Sequence, residues 1–374
     1  MGTFASSPPA RLTAVAFALS LALAACGGSG GQESGGKETI VFAEAGLGTE
    51  GKATQDAIKA FEQANPNITV KVQTLSADST QYLQQLQQRL VAGSSTPDVI
   101  RVDETYPASL AKSGWLYDLN KFNPDLSGFL PAALAPGKYN GHTYAVPWFV
   151  GAEGLLYRTD LVKEPPATPA ELVSAAQAAM KKDPKIKYGL AFEGAKYEGA
   201  VTSFMVFAGA FGGKFDPANL NTPQNQQALQ FAYDAVNTNH IAPKAVTGWK
   251  EGEVQQAFTS GQAAFSINWP FVFAASKGSP TEGKIGFVPL AGKGATLGIQ
   301  NLAINAKTKH AEAAWKFIQY LNSVPAQVKR AVDAGDPPSL TAAYNADLFK
   351  QAPYYKQVQK VAEVGAARPP GPST

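Results

Sequence analysis

Along the chain, short apolar runs alternate with longer stretches whose apolar residues return every three or four positions. The short runs have the β-branched, period-two character of strands, and the longer ones the 3.6-residue period of amphipathic helices. Thr39-Ile40-Val41-Phe42, Ile68-Thr69-Val70-Lys71-Val72 and Asp98-Val99-Ile100-Arg101-Val102 read as strands. Between them, 53–64 predicts a helix with Ala57, Ile58 and Phe61 on one face. The stretch 81–92 predicts a helix that buries Leu83, Leu86, Leu90 and Val91. Residues 143–149 are extended and cross a proline. Thr168-Pro169-Ala170-Glu171 combines a capping threonine, a proline at the first helical position and a capping glutamate, and Thr222-Pro223 opens a second helix in the same way. Later strands are predicted over 187–192, 263–269, 285–288 and 301–305. A helix is predicted over 310–323, with Ala314, Ile318 and Leu321 aligned. Strands interleaved with helices mark an α/β protein.

The N-terminus does not belong to that pattern. Leu12 to Ala25 is an Ala-rich apolar run behind a single Arg11. It is too short to span a bilayer and reads as a signal peptide over 1–25. Leu23-Ala24-Ala25-Cys26 resembles a bacterial lipobox, which predicts lipidation at Cys26; the other reading is a plain signal peptide with an incidental cysteine. More than one acyl chain anchors a protein stably. The expected location is the outer face of the cytoplasmic membrane, at a cell surface or in a periplasm, with membrane contact through the lipid alone. The Gly- and Ser-rich stretch 26–38 is a flexible tether. Its Gly27-Gly28-Ser29-Gly30-Gly31 matches the hydrolase nucleophile elbow only in composition, because no strand precedes it and no helix follows.

Charge and cysteine usage narrow the classes. Of 32 basic and 29 acidic residues, the leader removes only Arg11, leaving 31 − 29 = +2. So small a balance implies no nucleic-acid partner. With Cys26 the sole cysteine there is no disulfide, and three histidines leave few ligands for a transition metal. No cofactor is expected. About 340 residues after the leader predict two domains.

Three groups of residues are candidates for chemistry. Gly46-Leu47-Gly48-Thr49-Glu50-Gly51 has the dinucleotide spacing between a strand and a helix, but the next strand lacks the acidic residue a ribose requires. It reads instead as a Gly-rich loop able to approach a polar ligand. Asp103-Glu104 ends a strand, where open α/β sheets bind ligands. The pair suits glycosidase chemistry, hydroxyl recognition or a helix cap by Asp103. Adjacent strand residues point to opposite faces, so the two acids are not expected to converge. Tyr144, Trp148, Phe149, Tyr197, Trp249, Trp269 and Phe271 supply aromatic faces, either for the core or for the apolar face of a sugar ring.

Together these segments resemble a family. Thr96-Pro97-Asp98-Val99, Asp103, Ala111-Lys112-Ser113-Gly114-Trp115-Leu116, the run 137–161, Tyr197-Glu198-Gly199 and the run 258–265 resemble extracellular solute-binding proteins of the carbohydrate class. Asn268-Trp269-Pro270 and Ala367-Arg368-Pro369 resemble the trehalose/maltose-binding branch. The resemblance implies an α/β fold of two lobes, periplasmic-binding-protein-like, hinged by crossing segments around a ligand cleft. Lobe 1 would take 39–147 plus about 302–335, and lobe 2 would take 148–301 plus about 336–374. The implied function is capture of a di- or oligosaccharide, an α-glucoside such as trehalose or maltose, for the transmembrane permease subunits of an ABC importer, without catalysis. A secreted carbohydrate-active enzyme and a receptor presenting sugar to a sensor kinase are the alternatives.

The ligand contacts the resemblance implies are Glu50, Asp103, Phe149, Trp269 and Arg368, with Tyr197 and Glu198 in a matching motif. Gly151 stands where the branch tends to have an Asp, and Glu153 is the candidate replacement. Gln300-Asn301 stands where the branch tends to have Trp-His, so an amide pair replaces a stacking surface. The stretch 336–340 lacks an Arg often found there. The Pro-rich ending after Arg368 suggests a C-terminal truncation, which would leave Arg368 mobile.

Overall fold

The computed structural model describes residues 37–45 and 48–369. The predicted signal peptide, Cys26, most of the tether, Gly46-Leu47 and the closing Pro370 to Thr374 lie outside the described residues.

Eight strands form one mixed sheet among the described residues. They are β1 Glu38–Glu44, β2 Ile68–Thr74, β3 Val99–Asp103, β4 Ala145–Arg158, β5 Tyr188–Ala191, β6 Ala263–Asn268, β7 Ile285–Val288 and β8 Thr296–Ile304. Their order is β2-β1-β3-β8-β4-β6-β5, with β7 also on β4. β1 runs parallel to β2 and β3, and β5 parallel to β6. β8 is antiparallel to both β3 and β4. The first strand begins at Glu38, inside the stretch read as tether.

β4 carries the architecture. Its first part, Ala145 to Glu153, pairs with β8, and its last part, Gly154 to Arg158, pairs with β6 and β7. Covered on both faces, it reads as a nearly unbroken apolar run instead of an alternation. Pro147 lies opposite Asn301, beside the register shift between Gln300 and Asn301, where a missing N–H does least harm to the ladder. β8 is longer than the predicted 301–305, because its first half, Thr-Leu-Gly-Ile-Gln, has too mixed a pattern to read as a strand.

The longer helices are α1 Thr49–Ala64, α2 Ser79–Val91, α3 Pro169–Lys182, α4 Glu198–Ala210, α5 Pro223–Asn237, α6 Glu251–Thr259, α7 Ala311–Leu321, α8 Val324–Ala334 and α9 Tyr355–Val364. Thr168 and Thr222 cap α3 and α5 as predicted, accepting from Glu171 N at 3.1 Å and Asn225 N at 3.2 Å. The buried face of α2 differs from expectation. Tyr82, Leu86 and Leu90 form it, spaced four apart, while Leu83 is half-buried and Val91 is 69% exposed. The helix starts earlier than its apolar pattern suggests, capped by Asp78, and Tyr82 turns inward to donate its hydroxyl to the carbonyls of Ala43 and Arg101.

The core follows this layering. Phe42 of β1 meets Trp148 of β4 and Phe317 of α7 edge-on, with ring centroids 5.8 and 5.5 Å apart. A second cluster joins Leu155, Leu172, Leu190, Phe207, Phe231 and Phe265. The candidate site lies where β3, β4 and β8 run side by side.

Candidate functional site

The floor of the site is the central antiparallel ladder. In register, Gln300 faces Phe149 and Gly298 faces Gly151. Residues two apart share a face, so all four line one cleft of about 1030 Å3, its open mouth included. Asn301, one position along, turns the other way. It is fully buried and directs Nδ2 toward Val102 O at 3.4 Å. Trp269 follows the end of β6, its backbone N–H held by Asn268 Oδ1 at 2.8 Å, and lines the cleft above the two glycines.

Three helices open on this cleft with a glutamate in the first turn: Glu50 in α1, Glu198 in α4 and Glu251 in α6. The positive end of each helix favours the carboxylate there. β3 adds Arg101 and Asp103, two apart on one face. A continuous polar chain joins these groups. Arg101 donates Nη1 to Glu50 Oε2 at 2.7 Å and Nε to Gln300 Oε1 at 3.0 Å. Gln300 Nε2 donates to Asp103 Oδ2 at 3.0 Å, and Arg368 Nη2 donates to the same oxygen at 2.9 Å. Arg368 also donates Nε to Glu104 Oε1 at 2.8 Å and Nη1 to Glu198 Oε1.

Two expectations are corrected here. Asp103 and Glu104 do converge, because β3 ends at Asp103 and the turn that follows frees Glu104 from strand alternation. Arg368 is buried and clamped by three carboxylates, not mobile. Its segment is tied to the sheet two residues earlier: Leu297 N donates to Ala366 O at 2.8 Å and Ala366 N to Ala295 O at 2.9 Å.

Burial dominates the electrostatics. It pushes Glu104 up to about 7, with Arg368 opposing, and Asp336 up to about 7 although Arg330 lies 2.7 Å away. Glu251 is likewise pushed up to about 7 by burial, and Glu198 is raised, again chiefly by burial. Behind the cleft, Glu153 is raised to about 8 by burial, and Glu193 rises well above its ordinary value. Glu153 bonds Ser203 Oγ at 2.9 Å under α4 and does not line the cleft, so it does not replace the acid absent at Gly151. Beside the cleft-lining Glu251 and Ser79, Lys250 Nζ meets Asp78 Oδ2 at 2.7 Å.

Of the residues singled out from sequence, Glu50, Asp103, Phe149, Glu198, Trp269, Gln300 and Arg368 all line the cleft. Tyr197 and Asn301 do not. Tyr197 stands behind Glu198 and donates its hydroxyl to Glu193 Oε2 at 3.1 Å. Sequence reasoning missed Arg101, Tyr82, Glu251 and Asp336, all of which line it. Arg101 could have been found two positions before Asp103 on the same strand. Glu251 had only its place ahead of a helix to mark it. Among the described residues no group of three or more His, Cys, Asp or Glu is arranged to hold a metal ion, and no helix is long and apolar enough to cross a membrane.

The family model of bacterial extracellular solute-binding proteins matches residues 45–328. A probable ABC transporter-binding protein of Deinococcus radiodurans is 34% identical over 355 residues, covering 88% of this chain and 83% of its own. A maltotriose-binding protein of Pyrococcus abyssi is 25% identical over 274 residues, or 69% of this chain and 58% of its own. Among solved structures, maltose-bound T. maritima MalE3 matches with a TM-score of 0.84 and 31% identity over 89% of each chain. The maltose/maltodextrin-binding domain MalE from Bdellovibrio bacteriovorus, bound to maltotriose, matches with a TM-score of 0.77 and 25% identity over 89% of each chain. The α/β, two-lobed fold expected from sequence is the fold of these structures. With the family model spanning most of its length and the Deinococcus relative aligned over nearly all of it, the chain belongs to the bacterial extracellular solute-binding protein family.

Proposed function

We propose that this protein is the carbohydrate-binding component of an ABC importer, taking a di- or oligosaccharide, an α-glucoside such as maltose or trehalose, and delivering it to the permease. The observation that carries the proposal is the make-up of the cleft: aromatic faces of Phe149 and Trp269 on a floor ringed by Glu50, Arg101, Asp103, Glu198 and Arg368. A pyranose has apolar C–H faces and a rim of hydroxyls. It needs flat apolar contact above and below, with charged hydrogen-bonding groups around the edge. The similarity to a maltotriose-binding protein and a maltose-bound structure supports the same ligand class.

In this reading lobe 1 takes 39–147 with about 302–335, and lobe 2 takes 148–301 with about 336–374. The contacts of α8 with α1, and of α9 with β4 and β7, support the division. Closure of the lobes over ligand is the hinge motion that a permease would recognise. Glu50, Phe149, Glu198 and Trp269 contact sugar directly. Asp103, Gln300 and Arg368 hold the polar rim, with Tyr197 and Asn301 behind it. Cys26 carries the lipid anchor on the outer face of the cytoplasmic membrane. Mass spectrometry of the membrane fraction tests this: an acylated N-terminal Cys26 is expected, and a soluble chain with unmodified Cys26 overturns it.

Calorimetry of the protein against maltose, maltotriose, trehalose and mannitol tests the ligand, with glucose release followed in parallel. Binding of at least one α-glucoside without glucose release is expected. Release of glucose favours the carbohydrate-active enzyme instead, and no binding to any glucoside rejects the ligand class.

A further inference from the structure

We propose that the cross-strand glycine pair Gly151–Gly298 is the seat of Trp269, and that its missing side chains set how far the indole stands into the cleft. This rests on the carbohydrate reading for its ligand but on the ladder alone for its geometry.

The two glycines face each other directly across β4 and β8, on the cleft side of the sheet. Neither has a positive φ, so backbone conformation does not demand glycine at either place. Glycine weakens a strand interior and marks close approach by another group. Here the approaching group is the indole. A Cβ on Gly298 would stand 2.6 Å from Trp269 Cζ3 and 2.7 Å from Cη2. A Cβ on Gly151 would stand 3.3 Å from Cε3. The six-membered ring therefore lies on bare backbone, lower than it could over any other pair of residues.

The backbone that carries the ring is also anchored. Asn268, fully buried, accepts the backbone N–H of Trp269 at Oδ1, 2.8 Å away. On the far side, a Cβ on Gly335 would meet Phe271 Cα at 2.6 Å and Pro270 O at 2.9 Å. The backbone of the Trp269-Pro270-Phe271 segment is thus held at both ends, so a side chain at 298 is accommodated by moving the indole off the sheet, toward the ligand space.

The test uses Gly151→Ala, Gly298→Ala and each combined with Trp269→Ala. The readouts are maltose affinity and the acrylamide quenching of Trp269, isolated by subtracting a Trp269→Phe control. In Gly298→Ala, Trp269 should become more readily quenched without maltose, and maltose affinity should fall by about tenfold or more, the scale of overpacking a filled site. Gly151→Ala should do the same more weakly, by about threefold, because its overlap is smaller. With Trp269→Ala present, adding Gly298→Ala should change maltose affinity by less than about twofold. Unchanged quenching in a folded Gly298→Ala, or an equal loss of affinity with and without Trp269, overturns the proposal. If Gly298→Ala does not fold, Gly151→Ala decides it on the same two readouts. A parent that binds no α-glucoside would reject the ligand reading, while quenching in the ligand-free protein would still decide the seat.

Discussion

A carboxylate has about four lone-pair sites, and Asp103 places all of them within the protein: Thr105 N at 3.1 Å and Thr105 Oγ1 at 2.9 Å on one oxygen, Gln300 and Arg368 on the other. Its first task is to orient neighbours. Glu50 and Glu198 each make one such bond among the described residues, to Arg101 and Arg368, and have more left to offer a ligand. Gln300 is the relay, accepting from Arg101 and donating to Asp103, so its amide orientation is fixed at both ends. Gln300→Met should leave both partners one bond short and weaken sugar binding by about 1–3 kcal/mol, read by calorimetry. Glutamate at 300 should be worse than methionine, since it sets a carboxylate against Asp103. Trp269→Ala removes the stacking face and should cost about 1.5–3 kcal/mol of binding, a tenfold to hundredfold loss in affinity. If neither substitution changes affinity for the best-bound sugar, the ligand sits elsewhere.

At the scale of elements, the cleft depends on segments distant in sequence meeting along β4 and β8. Strands and helices with a clean period were legible: Ile285–Val288 stands as predicted, and the helix over 310–323 buries Ala314, Ile318 and Leu321. What failed was information that lives between elements. Val91 is apolar and follows the helical period, yet it is the last residue of α2 and is exposed. Asn301 lies beside Gln300 but on the opposite face, and only the register with Phe149 and Pro147 distinguishes them. Arg368 looked loose because nothing in its local sequence shows that Ala366 bridges to Thr296. That bridge carries a prediction. Arg368 is the shared cation of Asp103, Glu104 and Glu198 and links β3 to the start of α4. Removing one partner of a buried ion pair costs about 3–5 kcal/mol. Arg368→Met should therefore lower the melting temperature by several degrees at pH 8. It should lose less at pH 5, where the abandoned carboxyls take up protons more readily.

For the whole molecule, the buried acids set how stability follows pH. Burial raises Glu153 to about 8 from an ordinary 4.5, lifts Glu104, Glu251 and Asp336 to about 7, and holds Glu193 well above its ordinary value. In each case the folded protein keeps a proton that the unfolded chain has released. Between about 4.5 and 8 the native state therefore binds more protons, and stability falls as pH rises, by up to about 1.4 kcal/mol per pH unit per carboxyl. The stabilisation is complete below the unfolded value and is lost as pH passes through the folded one. Groups shifted the other way do not cancel it in this window. Asp160, lowered by its hydrogen bond from Arg158, contributes stability that is lost only on acidification below its ordinary 3.8. The melting temperature should then drop by several degrees between pH 5 and pH 8. Glu153→Gln isolates one of these acids: the amide can keep the bond to Ser203 while removing the charge, next to an Oε2 with no hydrogen-bond partner. At pH 5, where Glu153 is already protonated, the variant should melt close to the parent. At pH 8 it should melt higher, by a few degrees. A melting temperature that is flat or rises from pH 5 to 8 would overturn this account of the buried acids, and a Gln variant less stable only at pH 8 would mean that Glu153 is ionised in the folded protein.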